Sequence, residues 1–137
     1  MNLYQLTEKL ISIPSVTEQE AQLAEFVSDF LQARGFHVQL QQVTAARQNL
    51  LATAGAVPKV ILCTHLDTVP PFIPFSQDER FLYGRGACDA KGAMAAMLQA
   101  ALRLRDEGQR DFGLLFVVGE EGDSIGAKRA NELNPGS

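Results

Sequence analysis

Five residues in three short segments have types and spacings that could do chemistry: His65 and Asp67 in His65-Leu66-Asp67, Asp89 closing Gly84-Arg85-Gly86-Ala87-Cys88-Asp89, and the pair Glu120-Glu121. Imidazole is a good zinc ligand, and a ligating histidine usually donates its second N–H to a carboxylate, which fixes the tautomer and raises basicity. Asp67 stands at a workable reach for that orienting part, although a loop histidine beside a turn-forming aspartate would explain the two equally well. Asp89 lies where a glycine-containing loop runs into a helical stripe. Capping the helix is its plainest role. The same rigid position suits a carboxylate shared by two divalent metals, and Gly84 and Gly86 let backbone approach closely around it. Glu120 and Glu121 point in different directions from one turn, so one can bind metal while the other takes a proton from water; a solvated acidic turn with Gly122 and Asp123 is the commoner fate of such a cluster. Together the three segments supply hard nitrogen and oxygen donors for a two-metal site, which no single segment would argue.

The elements that must position these residues can be read from periodicity. Leu3, Leu6, Leu10 and Ile11 recur at helical spacing and stop before Pro14. Thr17 followed by Glu20 has a capping-box pattern, and Leu23, Ala24, Val27, Phe30 and Leu31 draw one apolar stripe up to Gly35. The period then changes. Phe36, Val38 and Leu40 alternate with polar residues, Leu50 to Thr53 is a second short candidate strand, and Val60-Ile61-Leu62-Cys63 reads as a strand buried on both faces. Phe81-Leu82-Tyr83 is a brief extended piece, Met94 to Leu104 marks a long helix ending near Gly108, and Phe112 to Val118 is a further buried strand. Apolar strands separated by helices predict an α/β three-layer α/β/α sandwich with a mainly parallel central sheet. In such sheets ligands gather past the carboxyl ends of the strands, where all three segments fall.

Composition narrows the functional classes. With 137 residues, 46% of them hydrophobic, the chain can bury one core of ordinary domain size. A net charge of -4 with 20% charged residues opposes both a disordered chain and a nucleic-acid partner. The apolar runs are too short to span a bilayer and no charged-then-apolar leader opens the sequence, so no membrane partner and a cytoplasmic location are expected. Cys63 and Cys88 are expected as reduced thiols. His37, between Phe36 and Val38, is expected in a surface or strand role. No closing helix or strand is apparent over 131–137, which reads as an interruption.

His65-Leu66-Asp67-Thr68-Val69-Pro70-Pro71, Leu82-Tyr83-Gly84-Arg85-Gly86-Ala87-Cys88-Asp89-Ala90-Lys91-Gly92 and Gly119-Glu120-Glu121-Gly122, with Asn49-Leu50 ahead of them, resemble the M20 metallopeptidases. That group includes acetylornithine deacetylases, succinyl-diaminopimelate desuccinylases, aminoacylases and carboxypeptidases. The resemblance implies a zinc-exopeptidase-like catalytic domain holding two zinc ions, with cobalt or manganese as substitutes. It implies His65 on one metal, Glu121 on the other, Asp89 bridging both through a residue followed by a cis peptide, Asp67 orienting His65, and Glu120 as general base. It also implies a further carboxylate and a final histidine ligand, and an inserted lid or dimerisation domain through which a parent enzyme could form a homodimer. None of these matches anything within 1–137, so the chain is expected to be the N-terminal part of the catalytic domain, inactive and poorly behaved alone, with an apolar sheet edge left open. The implied reaction is hydrolysis of an amide bond in an N-acyl amino acid or small peptide, with an acetylornithine-like substrate as first choice. A non-catalytic α/β binding or interaction module that keeps the motif is the alternative. A nucleotide-binding domain is disfavoured, because Asp89 stands where a third glycine would be required and would repel a phosphate.

Overall fold

A computed structural model describes residues 1–135 of the protein. Gly136 and Ser137, part of the terminal stretch for which the sequence suggests no closing element, lie outside the described residues. Helix α1 (Leu3–Ser12) opens on a true capping box, in which the Asn2 side chain accepts from the Gln5 amide and the Gln5 side chain accepts from the Asn2 amide. It buries Leu6, Leu10 and Ile11, each worth on the order of 2 kcal/mol of transfer free energy. Helix α2 (Ala21–Gln32) buries the predicted stripe, and the turn that follows it closes at Gly35, with φ of 80°. The capping box read at Thr17 and Glu20 does not form. Glu20 is itself the residue before the helix and makes no side-chain cap, because its carboxylate is engaged by Arg47 while the Thr17 hydroxyl is donated to Asp67.

Strands β1 (His37–Thr44), β2 (Arg47–Thr53), β3 (Val60–His65) and β6 (Phe112–Val117) form one sheet in the order β1-β2-β6-β3; β4 (Ser76–Gln77) and β5 (Leu82–Tyr83) form a small separate hairpin. The α/β class holds, and the sheet is mixed. The tight β1–β2 hairpin makes that pair antiparallel, β2 pairs antiparallel with β6, and only β3 and β6 run parallel. Strand β3 is not buried on both faces as its apolar run suggested: it ends the sheet among the described residues, and Val60 is 58% exposed. Burial on both faces belongs instead to β2 and β6, the inner strands, where consecutive residues are buried.

Leu50 and Ala52 share one core with residues of α1, α2 and helix α3 (Gly92–Asp106), including Leu6, Leu23, Met94 and Leu98. Asn49, on the opposite face of β2 from Leu50, donates to the Gly126 carbonyl of helix α4 (Ile125–Ala130). Helices therefore cover both faces of the sheet. Because β3 and β6 are parallel with His65 registered against Val117, their carboxyl ends meet, and the residues that follow both strands emerge at one edge. Among the described residues no helix is long and apolar enough to cross a membrane.

Candidate metal centre

His65 is the last residue of β3, Glu120 and Glu121 follow β6 by a short turn, and Asp89 sits in the irregular turn Ala87–Lys91 that leads into α3. Peptide bond Asp89–Ala90 is cis, as is Pro70–Pro71. Gly86, with φ of 88°, starts this turn, and a Cβ there would lie 2.8 Å from the Thr68 side chain. A glycine is thus required for the turn to sit against the loop that follows His65.

The topology brings His65, Asp89 and Glu121 together, with one donor atom from each lying within 4.8 Å of the others. His65 Nε2 is 2.9 Å from Asp89 Oδ1 and 3.7 Å from Glu120 Oε2. Nδ1 lies 2.8 Å from the main-chain carbonyl of Asp67 and 3.5 Å from its Oδ1. Since a carbonyl only accepts, Nδ1 must carry a proton, which leaves Nε2 as the nitrogen able to offer a lone pair. Orientation of the imidazole therefore comes first from the Asp67 backbone and second from its carboxylate.

The Asp67 carboxylate has more to hold. Its side chain is fully buried, and it accepts the Thr17 hydroxyl at 2.8 Å, the Glu120 amide at 3.0 Å and the Glu121 amide at 3.1 Å. Burial alone would raise its pKa, but the bonds from His65, Thr17, Glu121 and Glu120 outweigh it and bring the group down to about 2. In return the Asp67 carboxylate lifts His65 to about 9 against the opposing pull of desolvation, with smaller help from the Asp67 carbonyl and Asp89. Glu121 is raised by desolvation and by the adjacent Asp89.

These features fit a divalent cation. One imidazole nitrogen and two carboxylates converge, and among the described residues no lysine or arginine forms an ion pair with Asp89, Glu120 or Glu121. The proton shared between His65 and Asp89 occupies the place a cation would take, since tetrahedral ligands at about 2 Å from a metal stand only a little farther apart than this pair.

Sequence reasoning missed the residues that hold the Glu120–Glu121 turn from behind. The Val118 amide donates to Asn49 Oδ1 at 3.0 Å and the Gly119 amide to Glu20 Oε1 at 3.1 Å. Glu20 in turn takes a two-pronged bond from Arg47, at 3.0 and 2.9 Å, in a pair almost wholly out of solvent. Lys91 is buried too, its Nζ donating to the Ile13 carbonyl at 2.5 Å, and burial lowers its pKa to about 8. The available signal was an asparagine and an arginine inside a buried strand. His37 lies exposed at the start of β1, away from the cluster, and Cys63 and Cys88 are both exposed free thiols.

Residues 61–135 match the model of Peptidase family M20/M25/M40. The chain is 44% identical over 144 residues to a probable carboxypeptidase of Aspergillus clavatus, covering 92% of this chain and 32% of that one. A tripeptidase of Staphylococcus aureus superposes with a TM-score of 0.82 at 27% identity, over 96% of this chain and 40% of the other. A dinuclear metal binding peptidase of the M20 family from Bacillus subtilis shares the fold, with a TM-score of 0.67 at 15% identity over 95% of this chain and 38% of its own. The chain spans 32–36% of the length of the curated relatives it matches.

Proposed function

Because the chain belongs to peptidase family M20/M25/M40, whose members are metal-dependent hydrolases, we propose that His65, Asp89 and Glu121 are metal ligands of a hydrolase acting on amide bonds in small peptides or N-acyl amino acids. The observation that carries this reading is the convergence of those three donors with no neutralising lysine or arginine among the described residues. Zinc is the cation that best suits one imidazole with carboxylates, and cobalt or manganese would suit the same donors. Bound cations would supply the positive charge that acidifies water and polarises the scissile carbonyl.

The chain's own groups then have distinct tasks. His65 offers Nε2, because the Asp67 carbonyl keeps the proton on Nδ1. Asp89, 69% exposed at its side chain and beside both His65 and Glu121, would hold a cation through its carboxylate and has oxygen capacity for a second. Glu120, half exposed and 3.7 Å from His65 Nε2, is the general base that takes a proton from water and returns it to the leaving amine. Asp67 fixes the backbone of both glutamates and keeps the imidazole oriented. In such a protein, residues 1–137 form the N-terminal part of the catalytic domain. The remaining ligands, the substrate-holding groups and a lid or dimerisation domain then come from outside this segment.

Likeness to a probable carboxypeptidase and to a tripeptidase favours a small peptide over an acetylornithine-like substrate. Zinc uptake by wild type and by a His65→Ala, Asp89→Ala double variant tests the site. Tight binding lost in the variant supports it, and equal weak binding by both overturns it. Hydrolysis of a dipeptide series beside acetylated amino acids decides the substrate class.

A further inference from the structure

Four consecutive backbone amides, those of Val118, Gly119, Glu120 and Glu121, donate to buried side chains rather than to water or to a strand partner. Their acceptors are Asn49, Glu20 and both oxygens of Asp67. Two of these three acceptors are managed by one segment ahead of α2. Glu20 closes it, and the Thr17 hydroxyl donates at 2.8 Å to Asp67 Oδ2, the same oxygen that receives the Glu121 amide. Backbone ties hold this segment to the end of β3: Thr17 N to Thr68 O at 3.0 Å and Thr68 N to Ser15 O at 2.9 Å, with the Ser15 hydroxyl on the Leu66 carbonyl at 2.8 Å. Glu18 turns the chain with a positive φ of 79°. Gly119 answers it from the other side: a Cβ there would lie 2.6 Å from the Arg47 guanidinium that pairs with Glu20.

From this arrangement, and resting on the metal-site reading above, we propose that Thr17 is a positioning residue of the metal centre. Its hydroxyl fixes the Asp67 carboxylate so that Oδ1 and Oδ2 meet the amides of Glu120 and Glu121. Among the described residues Thr17 makes no hydrogen bond or ion pair with the side chains of His65, Asp89 or either glutamate; its hydroxyl reaches the site through Asp67 at 2.8 Å, with the Thr68 carbonyl farther off at 3.4 Å. Without that hydroxyl Oδ2 would keep only the Glu121 amide, and the carboxylate would be freer to rotate toward His65, whose Nδ1 already lies 3.5 Å from Oδ1. Rotation would release one glutamate amide and tilt the turn that carries both the proposed ligand and the proposed base.

The test uses the full-length protein, with Zn2+ and Co2+ each added alone to wild type, Thr17→Val and Thr17→Ser. Valine matches the shape of threonine and removes the hydroxyl; serine keeps the hydroxyl and removes the methyl. Thr17→Val is expected to bind Zn2+ about tenfold more weakly, the low end for residues that orient metal ligands, and to shift the visible absorption of the Co2+ form. Thr17→Ser should match wild type in both. If Thr17→Val lowers the melting temperature of the metal-free protein but leaves Zn2+ affinity and the Co2+ spectrum unchanged, the hydroxyl is structural only and the inference is overturned. A wild-type protein that takes up neither cation overturns the metal-site reading, and the inference with it, while normal wild-type uptake with an unaltered valine variant removes the inference alone.

Discussion

Replacing one partner of the Glu20–Arg47 pair tests whether the turn behind the metal centre is held by a buried charge pair. The Glu20 side chain is fully buried and that of Arg47 is 10% exposed, and the guanidinium bonds both carboxylate oxygens. Glu20→Gln leaves the arginine charge without a counterion, and Arg47→Met leaves the carboxylate without one. Each single change should cost about 3–5 kcal/mol of stability, because an uncompensated buried charge is worse than no charge at all. The double variant Glu20→Gln, Arg47→Met removes both charges and keeps a side-chain oxygen for the Gly119 amide. It should be no less stable than either single variant. A double-mutant cycle would then close with an interaction energy of at least about 3 kcal/mol, the upper end for residues in direct contact. Urea unfolding of chelator-treated protein at neutral pH gives the four free energies, provided the slopes against denaturant agree. Single-variant costs that simply add in the double variant would refute the reasoning, since they would mean that each side chain acts through packing and not through the other's charge.

Three further outcomes follow from the same geometry. His65, raised to about 9, must lose its Nε2 proton before it can accept a cation, so the apparent Zn2+ affinity should climb by about tenfold per pH unit between pH 6.5 and 9; competition with a chromophoric chelator measures this, and a flat profile would rule it out. In the metal-free protein the sign is opposite: the folded state holds that proton more tightly than the unfolded chain, so the stability it contributes is complete below pH 6.5 and is lost as pH rises through about 9. Gly126→Ala would place a Cβ 2.2 Å from the Val118 carbonyl and 2.7 Å from Asn49 Oδ1, so α4 must move; a loss at or above the upper end of about 1–3 kcal/mol is expected in thermal unfolding, against little change for Gly122→Ala, whose Cβ would meet its nearest neighbour at 3.7 Å.

What could be read in advance divides along a physical line. Helices α1, α2 and α3 were legible because their apolar residues repeat at the spacing of one helix face, and that pattern depends only on near neighbours. The meeting of His65, Asp89 and Glu121 was legible from their placement past strand ends, where an α/β sheet gathers its loops. Strand direction and order were not. Nothing in Val60-Ile61-Leu62-Cys63 states that it ends the sheet among the described residues, because an apolar run records what a strand can bury and not which neighbours arrive to bury it.

Thr17 and Glu20 show why the support of the site stayed hidden. Local rules assign them to a capping box worth on the order of 1 kcal/mol, and the residue types are right for one. The folded chain offers each a better partner far away in sequence: Asp67 for Thr17, and Arg47 with the Gly119 amide for Glu20. An exposed cap competes with water for its hydrogen bonds, whereas a buried carboxylate left without partners costs several kcal/mol, so the distant arrangement prevails. Asn2 and Gln5 show the other case. They carry the same local pattern at the exposed start of α1, where no distant side chain among the described residues bonds to them, and there the capping box forms. A capping pattern followed by a helix is therefore incomplete evidence for a cap. Whether it closes depends on what the rest of the chain brings to those side chains, and in this protein it brings the backbone of the proposed catalytic turn.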